Sequence, residues 1–181
     1  RSTSFGFLMT IIAVGVDRWG FDPWIGLIVV TALGCGIGLV NGLLVTRVRL
    51  PAFIATLGTL AVLRGTANAT SGGLSYVVQE QQDLFFFTFL GGTIGDTRIP
   101  YLFVIMLIVM IIGGIVLART KFGSDVYATG GNAEAAQNNG INTRRVKLAC
   151  FVLTGGLCGL AGAFMYGRLG SAPVSAGTGL E

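Results

Sequence analysis

Apolar residues are concentrated in five segments of the chain, which polar or glycine-rich links separate. A helix needs about 20 apolar residues to cross the hydrocarbon core of a bilayer. The first segment, residues 5–16, is too short for this, and we interpret it as a broken or truncated helix. The second to fifth segments are residues 24–45, 52–69, 101–118 and 147–168. The third of the five is the most polar. The pattern predicts an all-α fold, a polytopic membrane bundle forming a single transmembrane domain over residues 1–181.

The composition is that of a membrane protein and argues against a soluble domain. Hydrophobic residues make up 52% of the chain and charged residues only 11%, and the mean hydropathy is +0.77. A soluble domain carries about 25% charged residues. The net charge is +4, but the basic residues stand in loops beside the apolar segments, where they set orientation in the membrane. The expected partner is therefore the lipid bilayer, and no nucleic acid is expected.

The positions of the basic residues predict which side of the membrane each loop faces. Arg47 and Arg49 follow the second apolar segment, and five more basic residues lie within or beside residues 118–145. Most acidic residues lie on the opposite side. Because short cytoplasmic loops carry an excess of lysine and arginine, residues 118–145 are predicted to be cytoplasmic and residues 70–100 external.

Small residues recur at every fourth position in two of the predicted helices. Gly34, Gly38 and Gly42 share one face of the second segment, and Gly155 and Gly159 share one face of the fifth. Such faces let two helix backbones approach closely in lipid. We interpret the five glycines as helix-packing positions and not as a binding site.

Polar side chains interrupt the second and third apolar segments. Asn41 lies in the inner part of the second, and Thr56, Thr59, Arg64 and Asn68 punctuate the third. Polar groups inside a membrane are costly and usually mark a pathway or a packed interior. Arg64 stands in the outer third of its segment, where its side chain either faces a cavity or reaches the interface. These five residues are the candidates for a translocation path.

The chain lacks the residues that most enzymes and metal sites use. It contains no histidine, and its three cysteines all lie within apolar runs, where they are expected to pack as small residues. No metal site, cofactor or catalytic residue is predicted. An intramembrane enzyme is disfavoured because histidine and paired carboxylates are missing, although a serine–lysine type stays open.

The polar stretch at residues 118–145 is long for a connector between membrane helices, and it contains signals for a short helix. Asn132 is a favourable N-cap, Glu134 in the first turn suits the helix dipole, and Gly140 fits the position after the last turn. A helix of two turns at most is marginal alone in water. It must therefore dock, either on its own bundle or on a partner.

The sequence of this polar stretch resembles that of a known protein family. Glu134-Ala135-Ala136 followed by Gly140 resembles the EAA loop of ATP-binding-cassette (ABC) importer permeases, and the surrounding sequence is similar to their ribose/xylose-type sugar branch. The other matching stretches are Thr120–Gly123, Tyr127–Asn132, Gly140–Asn142, Asn41-Gly42, Pro51–Leu57, Arg64-Gly65 and Ala176–Glu181. Ser124 and Asp125 depart from the pattern, in which a basic residue commonly follows the position of Gly123.

The resemblance implies the membrane-spanning permease of an ATP-driven importer in the bacterial inner membrane, which moves a pentose-like monosaccharide by alternating access. Its implied partners are ABC ATPase subunits, a periplasmic sugar-binding protein and a second permease chain. It also implies further spans at both ends, because family members are longer. The coupling residues that it implies are Gly131, Asn132, Glu134, Ala135, Ala136 and Gly140.

Two further alternatives remain open. A permease of the same superfamily with another substrate, such as branched-chain amino acids or nucleosides, would carry similar motifs. An ion-coupled secondary transporter is less favoured, because the apolar segments contain no acidic residue and no clear repeat. The chain also lacks the phosphate-binding motif GxxxxGK[ST], so an ATPase reading is excluded.

Overall fold

A computed structural model of the protein describes residues 23–48, 50–71, 76–77, 92, 100–169 and 171–172. Within these residues the chain forms six helices and one short ribbon of two strands. The elements are α1 (Pro23–Thr46), α2 (Ala52–Ser71), β1 (Tyr76–Val77), α3 (Tyr101–Arg119), α4 (Lys121–Gly131), α5 (Ala133–Asn138), α6 (Thr143–Leu169) and β2 (Ser171–Ala172). The all-α prediction is confirmed, and the predicted segment at residues 5–16 lies outside the described residues.

Three of the helices are long and apolar enough to cross a membrane. These are the spans Trp24–Thr46, Tyr101–Arg119 and Thr143–Arg168, and the apolar part of α2, Ala52–Thr66, is shorter. At 1.5 Å per residue, α1, α3 and α6 measure about 36, 28 and 40 Å, against a hydrocarbon core of about 30 Å. Helix α6 begins at Thr143, four residues before the predicted start. The earlier start reflects Asn142, whose Oδ1 accepts a hydrogen bond from the Arg145 backbone N–H at 3.2 Å.

Helices α1 and α6 make the most extensive contact among the described elements. Gly34 and Gly38 face Gly155 so closely that a Cβ on any of the three would meet backbone atoms of the opposite helix. A Cβ on Gly159 would lie 2.7 Å from the carbonyl oxygen of Val30. At Gly42 the neighbours are Phe151 Cβ at 3.2 Å and atoms of Leu148 at 3.4 Å, so the approach is less close there. The two backbones therefore touch, and only glycine permits that spacing.

Helix α2 packs on α1, whereas α4 is the one described element that α3 contacts to any extent. Ala55 and Leu63 of α2 are buried. In α3 no residue is buried, and large apolar side chains such as Phe103, Met110 and Ile112 are exposed. A helix that is apolar all round and uncovered by protein suits lipid contact.

The ribbon joins the segments that follow α2 and α6. β1 and β2 pair in antiparallel register, with Tyr76 opposite Ala172 and Val77 opposite Ser171. Of the two helices, α6 contacts the ribbon directly, through β2. Two residues per strand are too few to give an alternating sequence pattern, so the ribbon was not predicted.

The stretch at residues 118–145 is more helical than predicted, and the expectation of one short helix in a polar loop was incomplete. It also contains α4, an 11-residue helix. Thr120 caps α4 by accepting a hydrogen bond from the Gly123 N–H at 3.3 Å. Gly123 is buried, and a Cβ there would meet the backbone of Leu117 at the end of α3. Partly buried Phe122 and Val126 and buried Thr129 follow at helical spacing, a signal that the polar composition obscured.

The α1–α6 contact predicts a position-specific effect of alanine. Gly38→Ala places a Cβ against the Phe151 backbone and should destabilise the protein by about 1–3 kcal/mol through overpacking. Gly36→Ala is the matched control, because Gly36 is on the same helix with nothing within 4 Å of a Cβ. The measurement is the midpoint of thermal unfolding of the purified protein in detergent. Equal midpoints for the two variants would contradict the close contact.

Candidate coupling helix and membrane cavity

A single residue, Asn132, separates α4 from α5 and caps both. Its backbone N–H donates to the Ala128 carbonyl at 3.2 Å, closing the last turn of α4. Its side-chain Oδ1 accepts hydrogen bonds from the N–H groups of Glu134 and Ala135, each at 3.0 Å. Asn132 adopts an extended backbone, with φ −149° and ψ 105°. The chain thus changes direction at one residue without leaving these backbone groups unpaired.

Helix α5 ends in a Schellman motif centred on Gly140. The Gly140 N–H donates to the Gln137 carbonyl, and the Ile141 N–H donates to the Ala136 carbonyl, each at 3.0 Å. Gly140 has φ +82°, in the left-handed region where a Cβ causes strain. This six-residue helix is therefore defined at both ends, which explains how so short an element forms.

Most of the α5 surface is uncovered. Ala136 is 4% exposed and contacts the chain's own bundle, whereas Glu134 and Ala135 are exposed. A surface hollow of about 310 Å³ lies between α5, the end of α1 and the start of α6. Its lining includes Glu134 together with Arg144 and Lys147. The sequence left open whether this helix docks on its own bundle or on a partner. Its contact with its own bundle is narrow, and a broad face stays accessible.

The surface around α5 is mainly basic. The exposed cations in the described residues on this side are Arg47, Arg119, Lys121, Arg144, Arg145 and Lys147. The acidic residues among the described ones there are Asp125 and Glu134. This excess of positive charge is typical of the cytoplasmic side of a membrane protein.

A cavity of about 320 Å³ lies among α1, α2, α4 and α6. Its apolar lining includes Ile37, Leu60 and Phe151. Its polar lining, among the described residues, consists of Asn41, Thr56, Thr59, Thr129, Lys147 and Thr154, with Cys150 and Cys158 beside them. The volume is at the lower end of the range of about 300–1,000 Å³ for small-molecule sites.

Asn41 and Thr59 join the walls of this cavity. The Thr59 hydroxyl lies 2.6 Å from Asn41 Oδ1 and 3.0 Å from the Ala55 carbonyl, and can donate to either. Asn41 is only 8% exposed. The bond fixes the Asn41 carboxamide, and its amide nitrogen donates to none of the described residues.

Thr129 of α4 lines the cavity and differs from the other polar lining residues in its hydrogen bonding. It is 8% exposed, and its Oγ1 is sealed from solvent with no hydrogen-bond partner among the described residues. A buried unsatisfied polar group costs about 1–3 kcal/mol. Helical threonines normally avoid this cost by donating to the carbonyl four residues earlier, as do Thr31, Thr46, Thr56, Thr59, Thr66 and Thr154. Thr129 is an exception to that local solution.

The structure brings together only some of the five predicted path residues. Asn41, Thr56 and Thr59 line the cavity. Arg64 is exposed on α2 and is not among the described lining residues. Asn68 lies in α2, but its side chain is outside the described residues. Sequence reasoning missed Thr129 because it lies in the polar stretch outside the apolar segments, and Thr154 because it stands alone among the apolar and small residues of its segment.

A family model described as "Branched-chain amino acid transport system / permease component" matches residues 2–181. The ribose import permease protein of Escherichia coli (strain K12) is 38% identical over 152 residues, covering 83% of this chain and 46% of that protein. The fructose import permease protein of Rhizobium meliloti is 34% identical over 181 residues, covering 96% and 50%. The autoinducer 2 import system permease protein of Yersinia enterocolitica is 34% identical over 181 residues, covering 98% and 49%. The chain thus spans about half the length of these curated relatives, and no solved structure matches it.

The cap at Asn132 predicts a local effect on α5. Asn132→Ala removes the acceptor for two backbone N–H groups and should weaken the helix start by about 1 kcal/mol. Amide hydrogen exchange at Glu134 and Ala135 should become about five-fold faster, because a loss of about 1 kcal/mol raises the population of the open helix start about five-fold. Asn132→Asp keeps an acceptor at this position and should exchange like the parent protein. Identical exchange in all three proteins would show that the cap does not stabilise α5.

Proposed function

Since the chain belongs to the branched-chain amino acid transport system / permease component family, we propose that it forms part of the permease of an ATP-driven importer for a monosaccharide. The chain is a multi-pass inner-membrane protein, in keeping with its three candidate spans and its family. The observation that carries the proposal is α5, a short helix capped at both ends, whose accessible face lies beside a basic surface.

The proposed partners divide the work of import. ATPase subunits bind and hydrolyse ATP on the cytoplasmic side and dock on α5, and an external sugar-binding protein delivers the substrate. A second permease chain completes the membrane assembly. Gly131, Asn132, Glu134, Ala135, Ala136 and Gly140 form the coupling element in this proposal. Its exposed alanine and glycines allow close approach of another protein backbone.

The proposed mechanism is alternating access without covalent chemistry in this chain. Movement of the ATPase subunits displaces α5, and the single residue Asn132 transmits that displacement to α4. Helix α4 lines the membrane cavity through Val126, Thr129 and Gly130. The hollow beside α5 leaves room for it to shift against α1 and α6. The proposed coupling helix α5 and the cavity-lining helix α4 are thus adjacent along the chain, which supports a direct mechanical link between the ATPase and the cavity.

The lining of the cavity favours a neutral substrate over an amino acid. A zwitterionic amino acid needs compensation for an ammonium and a carboxylate. Among the described lining residues Lys147 is the only charged one, and it is exposed. Relatives of this chain include import permeases named for ribose, fructose and L-arabinose. These two observations together favour a monosaccharide, and amino acids are the second candidate because of the family description.

The docking proposal predicts the effect of a larger side chain on α5. Ala135→Leu enlarges an exposed position and should reduce co-purification of the ATPase and ATP-driven sugar uptake at least ten-fold. Ala118→Leu makes the same change at an exposed position of α3 on the same side and should leave both properties near the parent level. Complexes and uptake that survive Ala135→Leu, Glu134→Lys and Gly140→Val would refute the assignment of α5.

The substrate proposal is tested by uptake into proteoliposomes. The permease, its ATPase and the binding protein are reconstituted together and offered labelled pentose, labelled hexose or labelled leucine. Uptake of a sugar should require ATP, and leucine should not be transported. Sugar uptake that continues without ATP would exclude an ATP-driven importer, and uptake of leucine alone would favour the second candidate.

A further inference from the structure

The membrane cavity is lined by two polar groups that form no hydrogen bond with other described residues. The first is the amide nitrogen of Asn41, whose carbonyl oxygen is engaged by Thr59. Because Thr129 Oγ1 is the only described side-chain polar atom both sealed from solvent and unpaired, the Asn41 nitrogen retains an accessible side. Asn41 lines the cavity and is otherwise buried. Its two N–H donors are therefore available there.

The second unused group is the Thr129 hydroxyl. It does not bond the carbonyl four residues earlier, as the threonines of the membrane helices do. A threonine in a helix has two accessible χ1 rotamers, and the choice depends on where its hydroxyl finds a partner. Since Thr129 lines the cavity, rotation about χ1 offers its hydroxyl to an occupant. An occupant with hydroxyl groups can both donate to Thr129 and accept from Asn41.

The remaining lining defines the chemistry of an occupant further. The described lining has no carboxylate, and Lys147 is exposed, so a cation has no partner and an anion has only one exposed cation. Phe151, Leu60 and Ile37 supply apolar surface, which suits the C–H face of a sugar ring. The pattern of apolar walls with a few convergent polar groups is typical of small-molecule sites.

We propose that this cavity is a binding site for one neutral, polyhydroxylated molecule of monosaccharide size, held by the Asn41 amide and the Thr129 hydroxyl. Its identification with the transported sugar rests on the proposed function. The site lies next to α4, on the side that carries the basic residues. Thr129 lies three residues before Asn132, so occupancy of the cavity bears on the helix that continues into α5.

The chain contains its own reporters for occupancy. Cys150 and Cys158 line the cavity, whereas Cys35 does not and lies beside Gly156 at the α1–α6 contact. All three are free thiols of intermediate exposure. Cys150 follows Lys147 by one helical turn, whereas Cys158 lies about 12 Å further along α6 by helical rise. Cys150 is therefore the cysteine nearer to the exposed Lys147, and Cys35 is the internal control.

The test measures protection of these cysteines in the reconstituted complex of permease, ATPase and binding protein. A small thiol reagent is applied from the cytoplasmic side in the presence of a pentose, a hexose, ribitol or leucine, and labelling is quantified at each cysteine. We expect a neutral polyhydroxylated compound to slow labelling at Cys150 but not at Cys35, and leucine to have no effect. Equal slowing at Cys35 would overturn the proposal, because it would indicate a global change.

Two substitutions at Thr129 distinguish a ligand contact from a packing role. Thr129→Val keeps the shape but removes the hydroxyl, and it should raise the concentration giving half-protection of Cys150 by about three- to ten-fold, the loss expected for one hydrogen bond. Thr129→Ser keeps the hydroxyl and should stay within about two-fold of the parent protein. Equal shifts in both variants, or in neither, would overturn the proposal.

The same preparation separates this inference from the proposed function. If ATP-driven sugar uptake occurs but none of the compounds protects Cys150, the cavity proposal falls and the import proposal stands. If no sugar is transported but ribitol protects Cys150 with the expected dependence on Thr129, the binding site stands and the import proposal falls. Labelling that is unchanged by every compound, without uptake, overturns both.

Discussion

The backbone contact between α1 and α6 is the constraint on which the rest of the described bundle depends. Lipid tails are as apolar as the helix surfaces, so helices in a membrane gain little from hydrophobic burial and associate through close packing. Gly34, Gly38, Gly155 and Gly159 bring the two backbones together. The contact fixes α1 relative to α6, and residues of both helices form two walls of the cavity.

The junction at Asn132 is the second element that organises the molecule. One side chain and one backbone amide complete the hydrogen bonding of two helices that belong to different surfaces. Helix α4 faces the membrane cavity, whereas α5 presents an accessible surface. Short helices have little stability of their own. Their position therefore depends on capping at Asn132 and Gly140 and on the few contacts made by Ala136, which makes α5 suited to moving as a unit.

Burial is distributed very unevenly in the described part of the chain. Glycines and Val30 fill the α1–α6 contact, and Tyr166 of α6 is also buried, whereas α3 has no buried residue. In a soluble protein an exposed surface of this kind would cause aggregation. In a membrane it is solvated by lipid, so the same surface is compatible with a stable protein. Two of the buried polar residues, Asn41 and Thr129, line the cavity, and several threonines of the described helices bond locally along their own helix.

The sequence by itself determined the membrane class, the spans that correspond to α1, α3 and α6, the helical character of α2, and the ends of α5. Each feature follows from a local signal. The length of the apolar runs predicts the membrane helices, the Asn132 cap predicts the start of α5, and Gly140, which takes the left-handed conformation, predicts its end. The sequence also indicated that the glycine faces of α1 and α6 would each approach another helix. It did not indicate that these two faces pack against each other.

Only the tertiary structure decided that α4 forms, that Asn41 bonds Thr59 across two helices and that Thr129 lacks a partner. It also separated Arg64 from the polar residues with which the sequence had grouped it, because Arg64 does not line the cavity with Asn41, Thr56 and Thr59. The physical reason is the same in each case. Hydrogen bonding between helices, and the lack of it, depends on how the helices are rotated and spaced, and in this protein glycine contacts set that geometry.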